Sequence, residues 1–285
     1  MSERLADVES RLQGMRELST VVSAMRGVAA AHAQQARGAL DAVHGYARSI
    51  EQAVAQVLAL VPPSRVPARD GPPRRAVLLL CAEQGFAGAF SERMLDRAAR
   101  DYADAQLLLA GSRGLALARE RGIEPVWSSP LPAHPQGVSQ LADRVVEALA
   151  ARLAQGRLDA FDVLLGAWQA SGPLRVERRA LFPLDARDFE VGGDSPLHQV
   201  DATLLLQDLS AAWLHAALCD ALLHAFAAEN LTRMQTMASA QRRIDGLLAS
   251  LQATQHQVRQ QEITAEILEL VAGEAANCDA PAAAP

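Results

Sequence analysis

The segment best suited to chemistry is the glycine-containing stretch AEQGFAGAF, residues 82–90, which continues from the apolar run AVLLLCA. Glycines that follow a buried strand can let the backbone approach a phosphate group, and Gly85 and Gly88 have the spacing GxxG. The patterns GxGxxG and GxxxxGK[ST] are absent, and the chain contains no lysine at all. We therefore predict a tight strand-to-helix turn here, with a nucleotide site as the alternative interpretation.

Side chains that could bind a metal ion or act as nucleophiles are scattered along the chain. The seven histidines form no HExxH motif, and His215 and His224 lie nine residues apart, off one helical face. The three cysteines show no CxxC spacing, so neither a zinc site nor a disulfide framework is indicated. The segment GVSQL lacks the second glycine of the nucleophile elbow GxSxG. The sequence therefore predicts no catalytic residue, no cofactor and no metal ligand.

Composition limits the classes of protein further. Half of the 285 residues are apolar, only 4% are aromatic, and the net charge is -6, which argues against general binding of nucleic acid. The N-terminal segment is charged and amphipathic and has no apolar core of the kind found in secretory signals. The longest unbroken apolar run, residues 76–82, is too short to span a bilayer. We expect a cytoplasmic protein that meets a membrane only through partners.

The N-terminal segment is predicted to be one long helix over residues 1–61. It contains no proline from residue 2 onward, and apolar or small residues recur at alternating steps of three and four, which is the spacing of a coiled-coil seam. Four glycines interrupt this segment, and each costs about 1 kcal/mol relative to alanine in a helix interior. We expect tight packing at these glycines, which are Gly14, Gly27, Gly38 and Gly45.

The C-terminal segment is predicted to be a second and longer helix over residues 197–275, followed by a flexible tail over residues 276–285. No proline occurs between Pro196 and Pro281, and the apolar periodicity continues to the stretch RQQEITAEILELVAGEA. The simplest packing pairs the two helices antiparallel. The end of the longer helix then projects beyond its partner or pairs with the N-terminal half, and we expect the surface that covers it to be on other chains.

Between the two helices, the composition indicates an α/β domain over residues 74–190, after a proline-rich break at residues 62–73. Strands are predicted at AVLLLCA, AQLLLAG, IEPVWSS, FDVLLGAWQA and LRVERRALFPL, and helices at residues 91–102, at SRGLALARERG and at residues 138–155. Strands that alternate with helices favour a parallel, doubly wound sheet. The predicted fold class is therefore α/β plus a long α-helical antiparallel coiled coil, with a central doubly wound Rossmann-like domain.

Several short motifs resemble the gamma subunit of F-type ATP synthases, the central rotor shaft. AMRGVAAA is similar to that family's opening helix, CAEQGFAGAFS to its SDRGLCGxxN loop, and AENLTRMQTMASA to its SEHxARMxAMxxA motif. RQQEITAEILELVAGEA is similar to the family's RQAxITxEIxEIVxGA. The resemblance is collinear over nearly the whole chain. The stretches DFEVGGDSPLHQVD and QRRIDG depart from the family, which indicates a divergent form.

The resemblance implies a non-catalytic subunit that couples ion flow through a membrane ring to ATP synthesis or hydrolysis in beta subunits. The implied partners are the alpha and beta subunits of the catalytic ring, the epsilon subunit and the c-subunit ring, and the implied location is the cytoplasmic face of the bacterial inner membrane. Arg259, Gln260 and Thr264 match residues that hold a beta-subunit loop as a catch. The full set of implied partner-contact residues is Met25, Arg26, Glu229, Arg233, Arg259, Gln260, Thr264 and Glu266.

Two other interpretations remain open at this point. A coiled-coil adaptor unrelated to ATPases predicts a stable homodimer with no ATPase association. A nucleotide-dependent α/β enzyme that uses the loop from Gly85 to Gly88 predicts micromolar binding of a nucleotide to the isolated chain.

Overall fold

The structure, a computed structural model, describes residues 2–61, 73–167, 174–184, 189 and 199–278. Two long helices, α1 (Ser2–Leu58) and α5 (Ala202–Cys278), come first and last in the sequence, and the other elements lie between them. In chain order, the intervening elements are β1 (Arg75–Leu80), α2 (Phe90–Asp101), β2 (Gln106–Ala110), α3 (Ser112–Glu120), β3 (Trp127–Ser129), α4 (Val138–Ala154), β4 (Ala160–Ala167) and β5 (Arg175–Phe182). A 3₁₀ turn, Pro135–Gly137, precedes α4. Nearly all of the predicted proline-rich break lies outside the described residues.

The chain divides into two compact units, and each long helix contributes to both. The first unit combines the chain up to Gly27 with the chain from Met237 onward, and the second is Val28–Thr236. The helix α5 continues through Cys278, which is inside the segment predicted as a tail, and residues 279–285 lie outside the described part. The predicted combination of an α/β sheet with long terminal helices is confirmed.

The second unit is built on a five-stranded sheet with the order β3-β2-β1-β4-β5. Four strands are parallel, and Leu79 of β1 is in register with Leu109 of β2 and with Leu164 of β4. The fifth strand, β5, pairs antiparallel with β4, so the prediction of a parallel sheet is wrong at this edge. The reason is the short connection from β4 to β5, because a parallel crossover requires about a dozen residues or more.

Both faces of the sheet are buried, which explains the near-continuous apolar runs of β1, β2 and β4. Alternate residues of β1 point to opposite faces: Leu78 and Leu80 join a core with α4, α1 and α5, while Val77 and Leu79 join a core with α2 and α3. All four of these side chains are completely buried. The sheet is therefore doubly wound, as predicted from the alternation of strands and helices.

The two long helices pair antiparallel within the first unit. Val22, Met237 and Ile244 are buried together, and Met25 packs against this cluster. Gln241 Nε2 donates to Ser19 Oγ at 2.7 Å, and Gln255 Nε2 donates to Glu9 Oε1 at 3.1 Å. As residue numbers rise on α1 they fall on α5, which defines an antiparallel seam.

The same pairing occurs inside the second unit. Ala36 of α1 is buried against Phe226 and Ala227 of α5, and Leu40 joins the core beneath the sheet. Near the C-terminal end of α1, Val54 and Ala55 are buried with a cluster that includes residues from the first turns of α5. The seam thus has contacts in each unit.

By length and composition, one described helix, α5, meets the criteria for a membrane span. The most apolar window of α5 is, however, 56% buried within this chain, and core helices that pack against a sheet and a second helix pass the same test. The apolar character of α5 is therefore explained by its contacts with α1 and with the sheet.

The apolar residues in the C-terminal part of α5 are not explained by contacts with the described part of α1 or with the sheet. The seam pairs residue 9 with residue 255, so α1 begins close to the level of residue 262 of α5. Beyond that level, five large apolar side chains are between 50% and 71% exposed: Ile263, Ile267, Leu268, Leu270 and Val271. This segment, residues 263–271, is an apolar helix end that the described part of α1 does not cover.

The expectation of tight packing at the four glycines of α1 is wrong. A Cβ atom added to Gly14, Gly27, Gly38 or Gly45 would meet no other described atom within 4 Å. Gly114 in α3 is the contrasting case, because a Cβ atom there would overlap the side chain of Cys81. Close approach within this chain therefore requires a glycine in α3 and not in α1.

We predict that Gly14→Ala and Gly45→Ala each raise the free energy of unfolding of the isolated chain by about 0.5–1 kcal/mol, because alanine loses less backbone entropy in a helix. The matched variant Gly114→Ala is expected to lower it by about 1–3 kcal/mol, because the core cannot accept the extra methyl group. Urea unfolding followed by circular dichroism measures both effects. A loss of stability in Gly45→Ala would show that this glycine is needed within the chain.

Candidate functional site: a clasp between α5 and the loop after β1

The loop that joins β1 to α2, residues 81–89, turns sharply at two positions with positive φ, Phe86 (61°) and Gly88 (56°). The N–H of Ala82 donates to the buried hydroxyl of Ser91 at 3.1 Å, which ties the start of the loop to the first turn of α2. Gly88 faces α5, because a Cβ atom there would lie 3.5 Å from Thr236 Oγ1. The predicted tight strand-to-helix turn is what the chain forms here.

Glu229 of α5 holds the first half of this loop. Its side chain is buried, with a relative exposure of 4%. One carboxylate oxygen accepts the N–H of Glu83 at 3.2 Å, and the other accepts the N–H of Gln84 at 3.3 Å. A buried carboxylate requires such donors, since an unpaired charge in the interior is strongly destabilising.

Arg233, one turn further along α5, holds the carbonyl side of the same loop. Its Nε donates to the carbonyl of Gly85 at 3.1 Å, and one terminal nitrogen donates to the carbonyl of Gln84 at 3.3 Å. The other terminal nitrogen donates to Asn230 Oδ1 at 2.9 Å, and the guanidinium also pairs with Glu229. We call this arrangement of Glu229, Arg233 and the loop backbone the clasp.

The clasp occupies the place where a phosphate group would bind. In doubly wound sheets ligands bind outside the carboxyl ends of the strands, where the strand order reverses, and here that point lies between β1 and β4. The N–H groups of Glu83 and Gln84 already donate to the carboxylate of Glu229, whose negative charge would repel a phosphate. This geometry disfavours the interpretation as a nucleotide-dependent enzyme.

A second carboxylate, that of Glu83, fills the neighbouring anion position at the N-terminus of α3. It accepts the N–H of Ser112 at 2.8 Å, the hydroxyl of Ser112 at 2.7 Å and the N–H of Leu131 at 2.8 Å. An acidic side chain is favoured at this position because the helix dipole is positive there. At this edge of the sheet, the chain therefore supplies its own anions and ties three loops together.

A third carboxylate, Asp162 on β4, lies within the sheet rather than at its edge. It is buried and accepts the hydroxyl of Tyr102 at 2.8 Å, and it pairs with Arg178 and Arg75 at the surface. Burial raises the pKa of Tyr102 to about 12, with a further contribution from its hydrogen bond to Asp162. Tyr102 is thus protonated at neutral pH and serves as a fixed donor to β4.

The predicted partner-contact residues fall into two different environments. Met25 is partly buried in the seam, whereas Arg26 is exposed. Arg259, Gln260, Thr264 and Glu266 are all exposed on α5, and Thr264 Oγ1 donates to the carbonyl of Gln260 at 2.8 Å. Glu229 and Arg233, in contrast, are buried in the clasp.

For Glu229 and Arg233, direct contact with a partner stays a prediction that their burial argues against in the free chain, since their charged atoms are already engaged. Reasoning from sequence missed that they bind residues 83–85, and it missed the role of Asn230. A signal was present in retrospect: an acid and an arginine at i and i+4 on a predicted core helix require buried partners.

Comparisons with known proteins cover nearly the whole chain. A family model described as ATP synthase matches residues 4–276. Two similar relatives are the ATP synthase gamma chains of Chlorobium luteolum, 26% identical over 282 residues (94% of this chain, 97% of the relative), and of Streptomyces griseus subsp. griseus, 27% identical over 303 residues (99% of each).

The fold is also similar to that of a solved chain. A chain in the cryo-EM structure of Euglena gracilis mitochondrial ATP synthase, OSCP/F1/c-ring, rotational state 3, has a TM-score of 0.67. The similarity covers 100% of this chain and 99% of that chain at 13% sequence identity. The likeness therefore extends over both long helices as well as the sheet.

We predict that Glu229→Gln lowers the free energy of unfolding by about 3 kcal/mol or more, because Arg233 would remain buried without its counter-charge. The control is Glu266→Gln, an exposed glutamate on the same helix, which is expected to change the stability by no more than about 0.5 kcal/mol. Urea unfolding of the two variants measures the difference. Equal stability of the two variants would contradict the role of the clasp.

Cys81 provides an independent measure of the clasp in the same variants. Burial raises the pKa of this thiol to about 12, and the charge of Glu229 adds to the effect. The reactive thiolate is therefore scarce at pH 8, so alkylation by iodoacetamide is slow. We expect Glu229→Gln to speed the alkylation of Cys81 by more than about tenfold, since the loop opens more often. Mass spectrometry of the Cys81 peptide provides the rate.

Proposed function

Because this chain belongs to the ATP synthase gamma-chain family, we propose that it is the central shaft that turns inside the ring of alternating alpha and beta subunits and couples ion flow to ATP chemistry there. The observation that supports this most directly is the uncovered end of α5 at residues 263–271. Five large apolar side chains on an exposed helix indicate a partner surface outside the chain.

The chemistry of this helix end suits a contact that must move. Its exposed apolar side chains can pack against an apolar sleeve without hydrogen bonds that would have to break at every step of rotation. Non-directional contacts of this kind hold the shaft on its axis and oppose turning weakly. We therefore place the alpha and beta subunits around this segment.

Directional contacts are proposed for the polar residues next to the apolar end. Arg259, Gln260, Thr264 and Glu266 are exposed, and they lie where the cover by α1 ends. An arginine can bind a carboxylate through two parallel hydrogen bonds, so the strength of this contact depends on the orientation of the two groups. We propose that Arg259, Gln260 and Thr264 act as a catch on a beta-subunit loop at one angle of rotation.

Residues within the seam and beside it are proposed to transmit this coupling. Arg26 is exposed and is available to a partner, while Met25 helps to hold α1 against α5. Glu229 and Arg233 are proposed to act indirectly, because the clasp determines the position of the loop at residues 81–89. The outer surface of that loop, which includes the exposed side chain of Phe86, would then be the part that meets a partner.

The remaining partners are assigned to the second unit. We propose that this α/β unit provides the attachment for the epsilon subunit and the c-subunit ring, so that the chain meets the membrane only through its partners, at the cytoplasmic face of the bacterial inner membrane. As the shaft turns, each beta subunit would meet a different face of it, and differential contact would shift the conformation of each catalytic site in turn. The chemistry would belong to the beta subunits.

We predict that the double variant Arg259→Ala plus Thr264→Ala lowers the ATP hydrolysis rate and the number of ions pumped per ATP in the complex reconstituted from its own subunits. Loss of one charge-assisted hydrogen bond, worth about 1.5 kcal/mol, corresponds to about a tenfold change in rate. Hydrolysis and ion pumping are measured side by side in vesicles that contain the complex.

The matched control is Arg243→Ala plus Thr254→Ala on the same helix. Both residues are exposed, and Thr254 Oγ1 donates to the carbonyl four residues earlier at 3.0 Å, as Thr264 does at 2.8 Å, but both lie where α1 runs alongside. We expect the control to leave both rates unchanged. Unchanged rates in Arg259→Ala plus Thr264→Ala would contradict the catch. A chain that forms a homodimer and binds no alpha or beta subunits would support the adaptor instead.

A further inference from the structure

One polar cluster in the second unit joins α1 to α5 and has no part in the role proposed above. It brings together His44 of α1 with Asp220 and His224 of α5. Asp220 Oδ1 lies 2.7 Å from His44 Nε2, and Asp220 Oδ2 lies 3.7 Å from His224 Nε2. One ligand-type atom from each residue lies within 4.8 Å of the other two. Two imidazoles and a carboxylate therefore converge on one point from two helices.

This donor set is suited to a borderline divalent metal ion. Imidazole nitrogen and carboxylate oxygen bind Zn²⁺ at about 2.0–2.2 Å, which puts tetrahedral ligand atoms about 3.3 Å from one another. Asp220 and His224 are spaced i and i+4, so both face the same side of α5. To reach metal geometry, the His44–Asp220 pair must open by about half an ångström, which small side-chain rotations supply.

We propose that His44, Asp220 and His224 form a Zn²⁺ site that cross-links α1 to α5. The three protein ligands leave the fourth tetrahedral position for water. His44 is half exposed and lines an open cleft of about 420 Å³ together with Ala47, Arg48 and Glu51, so an ion and a water molecule can enter from solvent. Because the ligands come from both helices, a bound ion adds a bond across the seam.

The neighbouring charges are compatible with a cation at this point. Arg179 on β5 pairs with Asp220 Oδ2, and its Nε also donates to Glu177 at 2.8 Å. Two carboxylates, Asp220 and Glu177, against one guanidinium leave one net negative charge when the histidines are neutral. Arg179 also fixes the orientation of the Asp220 carboxylate and leaves Oδ1 on the side of His44. An outer-shell partner of this kind is common at metal sites.

A second group of possible metal ligands, around His215 of α5, provides a control for this proposal. His215 lies 3.1 Å from Asp143 and 3.9 Å from Cys219 Sγ, so it also combines ligand types. His215 therefore serves as a control histidine on the same helix.

The test uses the full-length chain, purified without a histidine tag, stripped with EDTA and then incubated with Zn²⁺. We expect one zinc ion per chain to remain after gel filtration, measured by mass spectrometry of the metal. We also expect the unfolding temperature to rise by about 5 °C when free Zn²⁺ is about 100-fold above the dissociation constant. Co²⁺ in place of Zn²⁺ should give the intense visible absorption of a four-coordinate site.

The variants His44→Gln and His224→Gln are each expected to lower the zinc affinity by at least about tenfold. The controls His256→Gln, an exposed histidine on α5, and His215→Gln are expected to bind zinc as the unaltered chain does. His44 is half exposed, so His44→Gln keeps the test valid if His224→Gln does not fold. Zinc binding that is absent, or that survives both His44→Gln and His224→Gln, would overturn the proposal and leave a hydrogen-bonded network.

Discussion

The burial of one face of α1 against one face of α5 is the contact on which the rest of the structure depends. Neither helix has enough apolar surface of its own to remain folded in water, and each buries its stripe on the other. Small side chains allow the approach: Ala29, Ala33 and Ala36 are at most 4% exposed. Polar pairs such as Ser19 with Gln241 fix the register, because a shift along the seam would separate donor from acceptor.

The register of the seam explains why apolar side chains are exposed at the C-terminal end of α5. Since the pairing is antiparallel, the register places the last turns of α5 beyond the described part of α1. Their side chains keep the apolar periodicity of the seam, which is unfavourable for an exposed helix unless another surface covers it. The length difference between the two helices and the exposed apolar residues are therefore two aspects of one arrangement.

The clasp connects the seam to the sheet. In many doubly wound proteins the loop after the first strand binds a ligand, and here α5 supplies a carboxylate and a guanidinium to the same backbone groups. In this chain the same position is a joint between a helix and the sheet. A joint made of two buried charges resists partial opening, because a charge that loses its partner while it is still buried is strongly destabilising. Such resistance to opening suits the shaft proposed above.

The elements themselves could be predicted from sequence, because long helices and buried strands have strong local signals. The contacts between them could not. Glu229 meets the loop across 145 residues of chain, and His44 meets Asp220 across 176 residues, so no local spacing indicates either pair. The strand β5 was predicted, but its antiparallel direction was missed, although its charge-rich run RVERRALF differs from the apolar runs of the parallel strands and its connection to β4 is short. The glycines of α1 were misjudged because a glycine in a helix can mark close packing but can also occur where nothing packs against it, and the sequence does not distinguish the two cases.

Rotation of this chain within the complex can be observed directly. With Cys81, Cys219 and Cys278 replaced by alanine, Asp104→Cys places one thiol on an exposed turn between α2 and β2, where a visible probe can be attached. The complex of this variant with its own alpha and beta subunits is fixed to a surface through the beta subunits and supplied with ATP. If the chain is the rotating shaft, the probe turns continuously in one direction while ATP is hydrolysed. Hydrolysis at the full rate with a stationary probe would contradict it.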